Sequence, residues 1–279
     1  MKFSLILCTI HRTQEVEDFL NSLKNQTYND YEVIIVDQNK DKRLNDIIAL
    51  FYDLNIIHIT SNPGLSKARN IGLKITNGDI VCFPDDDCTY PHDLLQNVFH
   101  FFNTNGYAIL MGKTIDYHTK KVVAGKNVIT PQKLKPSFIL GSSTTLFIRK
   151  NKDISFDERF GIGGVFNAEE ENDLLFRLLK KGYTGYYEPN INYVYHPPSD
   201  LNYTDIQRSK NRAIGLGAFI AKHLFSFEGI MYFIRYNMFR PILGSFIHLI
   251  KFDTIKSKFY FYRFLGIWIG FLKYFKVNK

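Results

Sequence analysis

Cysteine is scarce in this 279-residue chain: there are three, Cys8, Cys82 and Cys88. Their spacing is not that of a metal site, and their odd number and low density argue against a disulfide framework and for the reduced thiols of a cytosolic protein. No G-x-G-x-x-G and no G-x-x-x-x-G-K-[ST] occurs, so dinucleotide-binding and P-loop readings lose their main support. The apolar run in the opening "MKFSLILCTIHR" is too short for a signal peptide, has no small-residue cleavage site and leads straight into charged sequence; it reads as a first strand. No internal repeat or low-complexity linker is visible. Acid is scarce at one end: residues 201–279 hold 13 Lys+Arg and 3 Asp+Glu, a balance of +10, whereas residues 1–200 hold 22 and 24, a balance of −2. The net charge of +8 therefore belongs to the tail, which also carries 19 of the 43 aromatic residues. With 45% hydrophobic and 22% charged residues the chain is globular and long enough for a sizeable core.

The stretch "GDIVCFPDDDC", Gly78 to Cys88, organises what is present. Ile80 to Phe83 reads as a short buried strand that Pro84 ends, because proline cannot donate to the ladder. Asp85, Asp86 and Asp87 follow at once, and in an extended chain Asp85 and Asp87 share a side. Two such carboxylates after a buried strand are costly without a cation, and Mn²⁺ or Mg²⁺ held by carboxylates commonly also carries substrate phosphates. Before this stretch the apolar periodicity gives strand 3–10, helix 14–25, strand 31–39, helix 43–53, strand 56–60, a helix from Leu65 and strand 79–83. That alternation predicts an α/β fold with a mostly parallel sheet flanked by helices, whose ligands sit at the carboxyl ends of the strands. Thr9 to Arg12, Asp37 and Asp85–Asp87 lie there. A helix is expected over 91–103 with Pro91 in its first turn, then β-rich sequence over 107–150. The glycines Gly161, Gly163 and Gly164 mark a loop. Glu169–Glu171 lead a helix with Leu174, Leu175, Leu178 and Leu179 facing the core, and a last strand ends at His196. Lys67 and Lys74 read as a solvated helix face, and Ser142–Thr145 as either strand residues or lining of an acceptor site.

In this order the motifs resemble the inverting glycosyltransferases of family 2, with the GT-A fold, over residues 3–198. "TIHR" and "VDQN" end the first two strands, "NPGLSKARNIGL" is similar to N-x-G-x-x-x-A-R-N-x-G, and "FPDDDC" resembles the D-x-D metal motif. "FDERFG" and "EEENDLLFRL" resemble the stretch E-D-x-D-L…R-L. The resemblance implies a nucleotide-diphosphate sugar donor, held by Thr9, Arg12, Asp37, Arg69, Asp85 and Asp86, with Asp87 and His196 as ligands of Mn²⁺ or Mg²⁺. It implies a carboxylate base at Glu170 or Glu171, where glutamate replaces the aspartate common at the second position. His11 stands where proline is frequent and receives no role. The expected reaction moves a sugar with inversion onto a hydroxyl of a saccharide acceptor, lipid-linked, in cell-surface polysaccharide assembly. A sugar-phosphate nucleotidyltransferase is the second reading, although no Gly-rich, Arg/Lys-containing loop follows the first strand. A non-enzymatic membrane-surface module is the third; nucleic acid is disfavoured because the carboxylates would repel its phosphates.

The expected organisation is a GT-A catalytic domain over 1–200 and a basic, aromatic, helical tail over 201–279. "GIMYFIRYNMFRPILGSFIHLIK" and "FYFYRFLGIWIGFLKYFK" are helical in length, but Arg235, Arg240, Arg263 and Lys273 interrupt them, and neither offers the roughly 20 uncharged apolar residues a spanning helix needs. Phe264, Ile267, Trp268 and Phe271 fall on one helical face. The tail is thus expected to rest on an anionic membrane surface, placing the protein in the cytoplasm, peripheral on the inner face of the cell membrane.

Overall fold

The structure, a computed structural model, describes residues 1–124, 128–198, 203, 205–236 and 239–277. The N-terminal alternation forms β1 (Phe3–Thr9), α1 (Gln14–Lys24), β2 (Tyr31–Asp37), α2 (Asn45–Ala49), β3 (Ile56–Thr60), α3 (Leu65–Leu73) and β4 (Ile80–Cys82). Then follow α4 (Leu94–Thr104), β5 (Ile109–Met111), β6 (Lys113–Ile115), β7 (Val122–Ala124), β8 (Gln132–Lys133), β9 (Phe147–Arg149), α5 (Glu170–Lys180), β10 (Gly185–Tyr187) and β11 (Tyr193–Tyr195). Four further helices complete the chain: α6 (Ile206–His223), α7 (Phe227–Tyr236), α8 (Arg240–Ile250) and α9 (Thr254–Val277).

Eight strands form one sheet in the order β3-β2-β1-β4-β9-β5-β10-β8, and β11-β6-β7 form a small second sheet. β1 pairs in parallel with both β2 and β4, whereas β9 runs antiparallel between β4 and β5. Every residue of β1 and β2 is buried, as expected for strands covered on both faces. Ile6, Ile34, Val36 and Val81 face the core under α5 and α6, while Leu5, Leu7, Val33 and Ile35 face the core under α1 and α4. In α1 the buried residues are Val16, Phe19, Leu20 and Leu23, the spacing read from the sequence.

Two helix boundaries differ from expectation. α2 is confined to Asn45–Ala49 and gives way to turns. α4 begins at Leu94 rather than in the turn containing Pro91, because the distant side chain of Gln26 organises its start. Gln26 Nε2 donates to the Pro91 carbonyl at 2.7 Å, and its Oε1 accepts from the Leu95 amide at 3.1 Å. A cap supplied from another segment leaves no local signal. Ser142–Thr145 is likewise not strand: Ser143–Thr145 forms a single 3₁₀ turn.

The largest departure concerns the tail. Ala213, Leu216, Ala218, Phe219 and Ile220 of α6 and Ile267 of α9 belong to the same core as β1, β4 and α5. The expected division between 1–200 and 201–279 therefore does not coincide with the edge of the core; the junction itself, at 199–202, lies outside the described residues. α6 and α9 cross at backbone contact. A Cβ on Gly217 would fall 1.9 Å from the Ile267 carbonyl oxygen, and one on Gly270 would fall 1.9 Å from that of Ile214, so only glycine fits at either position. The face Phe264–Ile267–Trp268–Phe271, expected to lie outward, turns inward: Ile267 is in the core, and Trp268 and Phe271 pack against it. The side chain of Arg235 lies outside the described residues.

Charge fixes α6 as well as apolar packing. Asp173, fully buried in α5, accepts from Arg177 at 2.8 Å and faces Lys222 at 2.7 Å and His223 at 2.9 Å, both on α6. Lys222 also meets Asp157 at 2.6 Å. Burial alone would raise the Asp173 pKa, but His223, Lys222 and Arg177 outweigh it and hold the group down at about 2. Removing one member of a buried ion cluster leaves the others uncompensated, at roughly 3–5 kcal/mol. Asp173→Ala is expected to lower the unfolding free energy by about that amount in a denaturant titration. Because the native pKa is depressed, this stabilisation is present at neutral pH and is lost as pH falls from about 4 towards 2. An Asp173→Ala protein with the parental midpoint and the parental acid profile would show that the cluster carries no stability.

Candidate active site

The site forms where β1, β2 and β4 end. Beyond β4 the chain rejoins β1 through an isolated parallel bridge between Cys8 and Asp85, so Asp85 still occupies a strand-like position. Asp86 and Asp87 then turn away from the strand direction. An antiparallel bridge between Thr89 and Tyr195 brings the end of β11 alongside, which carries His196 to Asp87 across more than a hundred residues of chain. Its Nε2 lies 3.1 Å from Asp87 Oδ1.

Arg69 occupies the centre. It is 1% exposed, and its guanidinium reaches Glu170 Oε1 at 3.2 Å, Asp85 Oδ1 at 3.2 Å and Ser143 Oγ at 3.1 Å. Phe83 and Phe156 cover it, with ring centroids 5.9 and 5.3 Å from Cζ. Ser143 belongs to the stretch Ser142–Thr145 considered as acceptor-site lining, but its contact with Arg69 is not foreseen from the sequence. Arg12 makes a second ionic contact, from Nη1 to Asp86 Oδ1 at 2.9 Å and to Asp87 Oδ2 at 2.6 Å. Asp86 is therefore not alone on the far side of the strand, as simple alternation expects, because the turn after Asp85 brings Asp86 and Asp87 to one guanidinium.

Asp37, at the end of β2, is buried. Its Oδ1 accepts from the backbone and side-chain amides of Asn39, both at 2.8 Å, and its Oδ2 lies 3.2 Å from His58 Nε2. Thr9 is paired with Asp37 in the ladder and lies beside Asp86. Lys67 and Lys74 are exposed, as expected of a solvated face.

Asp85, Asp87 and His196 each offer a ligand atom, all within 4.8 Å of one another. His196 Nδ1 sits 2.6 Å from the Pro197 carbonyl, which can only accept, so Nδ1 carries a proton and Nε2 is left as the ligand-bearing nitrogen of the neutral ring. Two carboxylate oxygens and an imidazole suit Mn²⁺, and Mg²⁺ less well because of the nitrogen. The charge balance also fits a cation. Burial raises the Asp85 pKa against the opposing pull of Arg69, and burial raises Asp86 to about 6 despite Arg12. Asp87, although buried, is held at about 2 by His196 and Arg12. A cavity of about 320 Å³ opens on the Asp87–His196 side, with Glu15, Asp18, Tyr117 and Tyr195 in its wall.

The acidic turn at the start of α5 separates the two candidate bases. Glu169, the residue before α5, adopts a left-handed backbone, φ 72°, and Glu170 and Glu171 follow as consecutive helical positions on different sides of the helix. Glu170 is buried and paired with Arg69. Glu171 is half-buried and has no ion pair among the described residues. Burial, then repulsion from Glu170 and Glu169, raises its pKa to about 8. A carboxylate of that basicity suits proton abstraction near neutrality.

Residues 4–172 match the family described as Glycosyl transferase family 2. The chain is 25% identical over 198 residues to a Bacillus subtilis putative teichuronic acid biosynthesis glycosyltransferase, TuaG, covering 66% of this chain and 74% of that protein. It is 32% identical over 103 residues to the Escherichia coli UDP-Glc:alpha-D-GlcNAc-diphosphoundecaprenol beta-1,3-glucosyltransferase WfaP, covering 36% of this chain and 41% of that one. The matched region spans less than two thirds of the first curated relatives it aligns with. In fold it is similar to the mannosyltransferase PcManGT from Pyrobaculum calidifontis, solved with GDP-Man and Mn²⁺, with a TM-score of 0.66 at 14% identity over 97% of this chain and 87% of that one.

Because Arg12 already occupies Asp87, an incoming cation competes with it. Mn²⁺ affinity, read from the electron paramagnetic resonance signal of the free ion, is expected to rise about threefold in Arg12→Ala and to fall about tenfold or more in Asp87→Asn. Equal affinities in all three proteins would remove the assignment of Asp87 as a ligand.

Proposed function

Since the chain belongs to glycosyl transferase family 2, we propose that it transfers a sugar from a nucleotide-diphosphate donor to a hydroxyl of a lipid-linked saccharide, inverting the anomeric centre, in cell-surface polysaccharide assembly. The observation that carries this reading is the pairing of two differently tuned carboxylate groups across Arg69: Asp85 with Asp87 on one side, Glu170 with Glu171 on the other. The acceptor oxygen attacks the anomeric carbon, the bond to the diphosphate oxygen breaks, and the departing diphosphate keeps the electron pair. Glu171 takes the hydroxyl proton. Glu170 is committed to Arg69 and serves to hold the guanidinium beside the leaving group. Arg69 itself needs no reorganisation as charge develops, because its hydrogen bonds and ring contacts fix it. Asp85, Asp87 and His196 would hold Mn²⁺ or Mg²⁺, which supplies positive charge to the diphosphate. Thr9 and Asp37 are the proposed nucleobase contacts, and Asp86 with Arg12 borders the donor. The teichuronic acid and diphosphoundecaprenol named for two relatives favour the polysaccharide and lipid-linked parts of the reading.

We extend the proposal to the cell: the protein is cytoplasmic and peripheral on the inner face of the membrane. No helix among the described residues is long and apolar enough to cross a membrane. Exposed apolar side chains crowd α7, α8 and the turns around them, with Phe225 90% and Phe252 91% exposed, and Arg240, Lys251 and Lys258 lie exposed among them. An apolar surface flanked by cations suits an anionic bilayer interface.

Two experiments follow. With a panel of nucleotide sugars and Mn²⁺, Glu171→Gln is expected to keep donor affinity and lose about 10²–10⁴ in transfer rate. In the parent, kcat/KM should climb about tenfold per pH unit below pH 8 and level above it, because the active form of a base is the deprotonated one. Loss of transfer in Glu170→Gln with full activity and an unchanged pH profile in Glu171→Gln would exchange the two roles. Separately, the full chain should float with phosphatidylglycerol vesicles at low salt and not with phosphatidylcholine vesicles, and Phe246→Ser with Ile250→Ser, both at exposed positions, should reduce flotation. Equal recovery with both lipids, or none with either, rejects the membrane assignment.

A further inference from the structure

The basic residues of the tail are not spread evenly over its surface. α6 lies against the loop that leads into the acidic turn: a Cβ on Gly215 would fall 2.8 Å from Ala168 Cβ, and Ala168 directly precedes Glu169. Arg212 stands three residues before Gly215 and Arg208 four before that, so both occupy the helical face that continues past Ala168 along Glu169–Glu171. α9 adds a third guanidinium. A Cβ on Gly266 would fall 2.6 Å from the Lys210 carbonyl oxygen and 2.9 Å from Ala213 Cβ, which brings Arg263, three residues earlier, beside Arg212.

Neutralisation of the acidic turn does not account for these arginines. Among the described residues none of the three guanidiniums is within ion-pair distance of a carboxylate, although Glu169 and Glu171 are their electrostatic neighbours. Arg208 and Arg263 bring like charge beside Arg212, and Glu171 and Glu169 pull against it. The cluster is a concentration of positive charge with which no carboxylate among the described residues forms an ion pair, and Arg208 and Arg212 are exposed. Planar guanidiniums with free donors are the side chains best matched to phosphate oxygens.

We propose that Arg208, Arg212 and Arg263 form an acceptor-phosphate subsite, which holds the diphosphate of a prenyl-diphosphate-linked saccharide while the hydroxyl to be glycosylated faces Glu171. The assignment rests on the transfer reading given above and adds to it the group by which the acceptor is held. The apolar part of such an acceptor has a surface to follow. On α9, Phe261 and Tyr262, which precede Arg263 on other faces of the helix, are exposed. α8 is bound to the same end of α9 by a hydrogen bond from Ser245 Oγ to the Ser257 carbonyl at 2.9 Å, and it presents Leu243, Phe246 and Ile250 to solvent. Charge adjacent to an apolar track distinguishes a lipid headgroup from a free phosphate. The subsite is also separate from the candidate metal site, since it is built from α6 and α9 and shares no residue with Asp85, Asp87 or His196.

The test is binding to the full-length protein in EDTA, with farnesyl diphosphate, inorganic pyrophosphate and farnesol as probes, followed by calorimetry. Farnesyl diphosphate is expected to bind, pyrophosphate to bind about tenfold more weakly, and the doubly substituted Arg208→Ala, Arg212→Ala protein to lose about tenfold or more for farnesyl diphosphate. The same protein should keep parental affinity for farnesol and, with Mn²⁺, for UDP; Arg212→Lys should recover part of the loss. Both substituted positions are exposed, so the fold is retained, and an unchanged UDP affinity verifies it. Farnesyl diphosphate affinity unchanged by the arginine substitutions overturns the subsite. Affinity that appears only when Mn²⁺ replaces EDTA, and is lost in Asp87→Asn, places the diphosphate at the metal site instead, and equal affinity for pyrophosphate makes the ligand a soluble anion rather than a lipid headgroup. Because these measurements use neither donor sugar nor turnover, they fail independently of the transfer reading, which the nucleotide-sugar panel decides.

Discussion

A single buried guanidinium holds the site together. Arg69 lies on α3, Asp85 beyond β4, Ser143 on the 3₁₀ turn before β9 and Glu170 at the start of α5, and the four meet within 3.2 Å of the guanidinium nitrogens. A charge so fully desolvated persists only if it is paired and hydrogen-bonded, so the segments that carry its partners must arrive together. Placing Arg69 therefore also sets the separation between the carboxylates of the candidate metal site and those of the candidate base. Hydrogen bonds from Ser66 Oγ to the Phe160 carbonyl and from the Leu65 amide to the Ile162 carbonyl, at 2.7 and 2.9 Å, seat the glycine loop on the start of α3 and so position α5. The electrostatics of the reaction and the packing of the fold are one set of contacts.

Part of this was legible in the sequence. Continuous apolar runs identify β1 and β2, because strands buried on both faces leave no room for alternation. The order of strand ends identifies Thr9, Asp37 and Asp85–Asp87 as neighbours, since a parallel sheet brings its carboxyl ends to one edge. What escaped depends on long-range contacts. Gln26 capping α4, Ser143 bonding Arg69, and Arg12 spanning Asp86 and Asp87 each join segments far apart in sequence through one side chain, and no periodicity encodes such a pairing. The adjacent glutamates could not be ranked from composition either. Glu170 and Glu171 are consecutive helical positions that point in different directions, and it is Glu170 that meets Arg69.

The tail shows why charge and aromatic content describe a surface poorly when helices pack in layers. The face Phe264–Ile267–Trp268–Phe271 satisfies the helical repeat of an amphipathic surface helix, and the same repeat equally describes a helix packed on a core. The glycines decide between the two. Gly217 and Gly270 allow α6 and α9 to approach until the backbone of each touches the other, and a close crossing of that kind buries the face between them. The apolar residues left outside are then those of α7, α8 and the opposite face of α9, which the crossing does not cover.

That arrangement also explains how a basic tail and an acidic catalytic half fit in one fold. Asp157 and Asp173, within the two stretches that resemble the family's catalytic motifs, are spent on Lys222 and His223 of α6 and not on chemistry. They fix the carboxyl end of α6, and Gly215 on Ala168 fixes its middle, so the amino end has one remaining direction, along Glu169–Glu171. The positive charge that arrives there is Arg212, with Arg208 and Arg263 beside it. Burial, then the neighbouring Glu170 and Glu169, raises the Glu171 pKa to about 8 against the opposing pull of Arg69. Under the proposed transfer, an anionic acceptor bound to the tail's arginines would draw their positive charge away from Glu171 and leave that carboxylate a better acceptor for the hydroxyl proton.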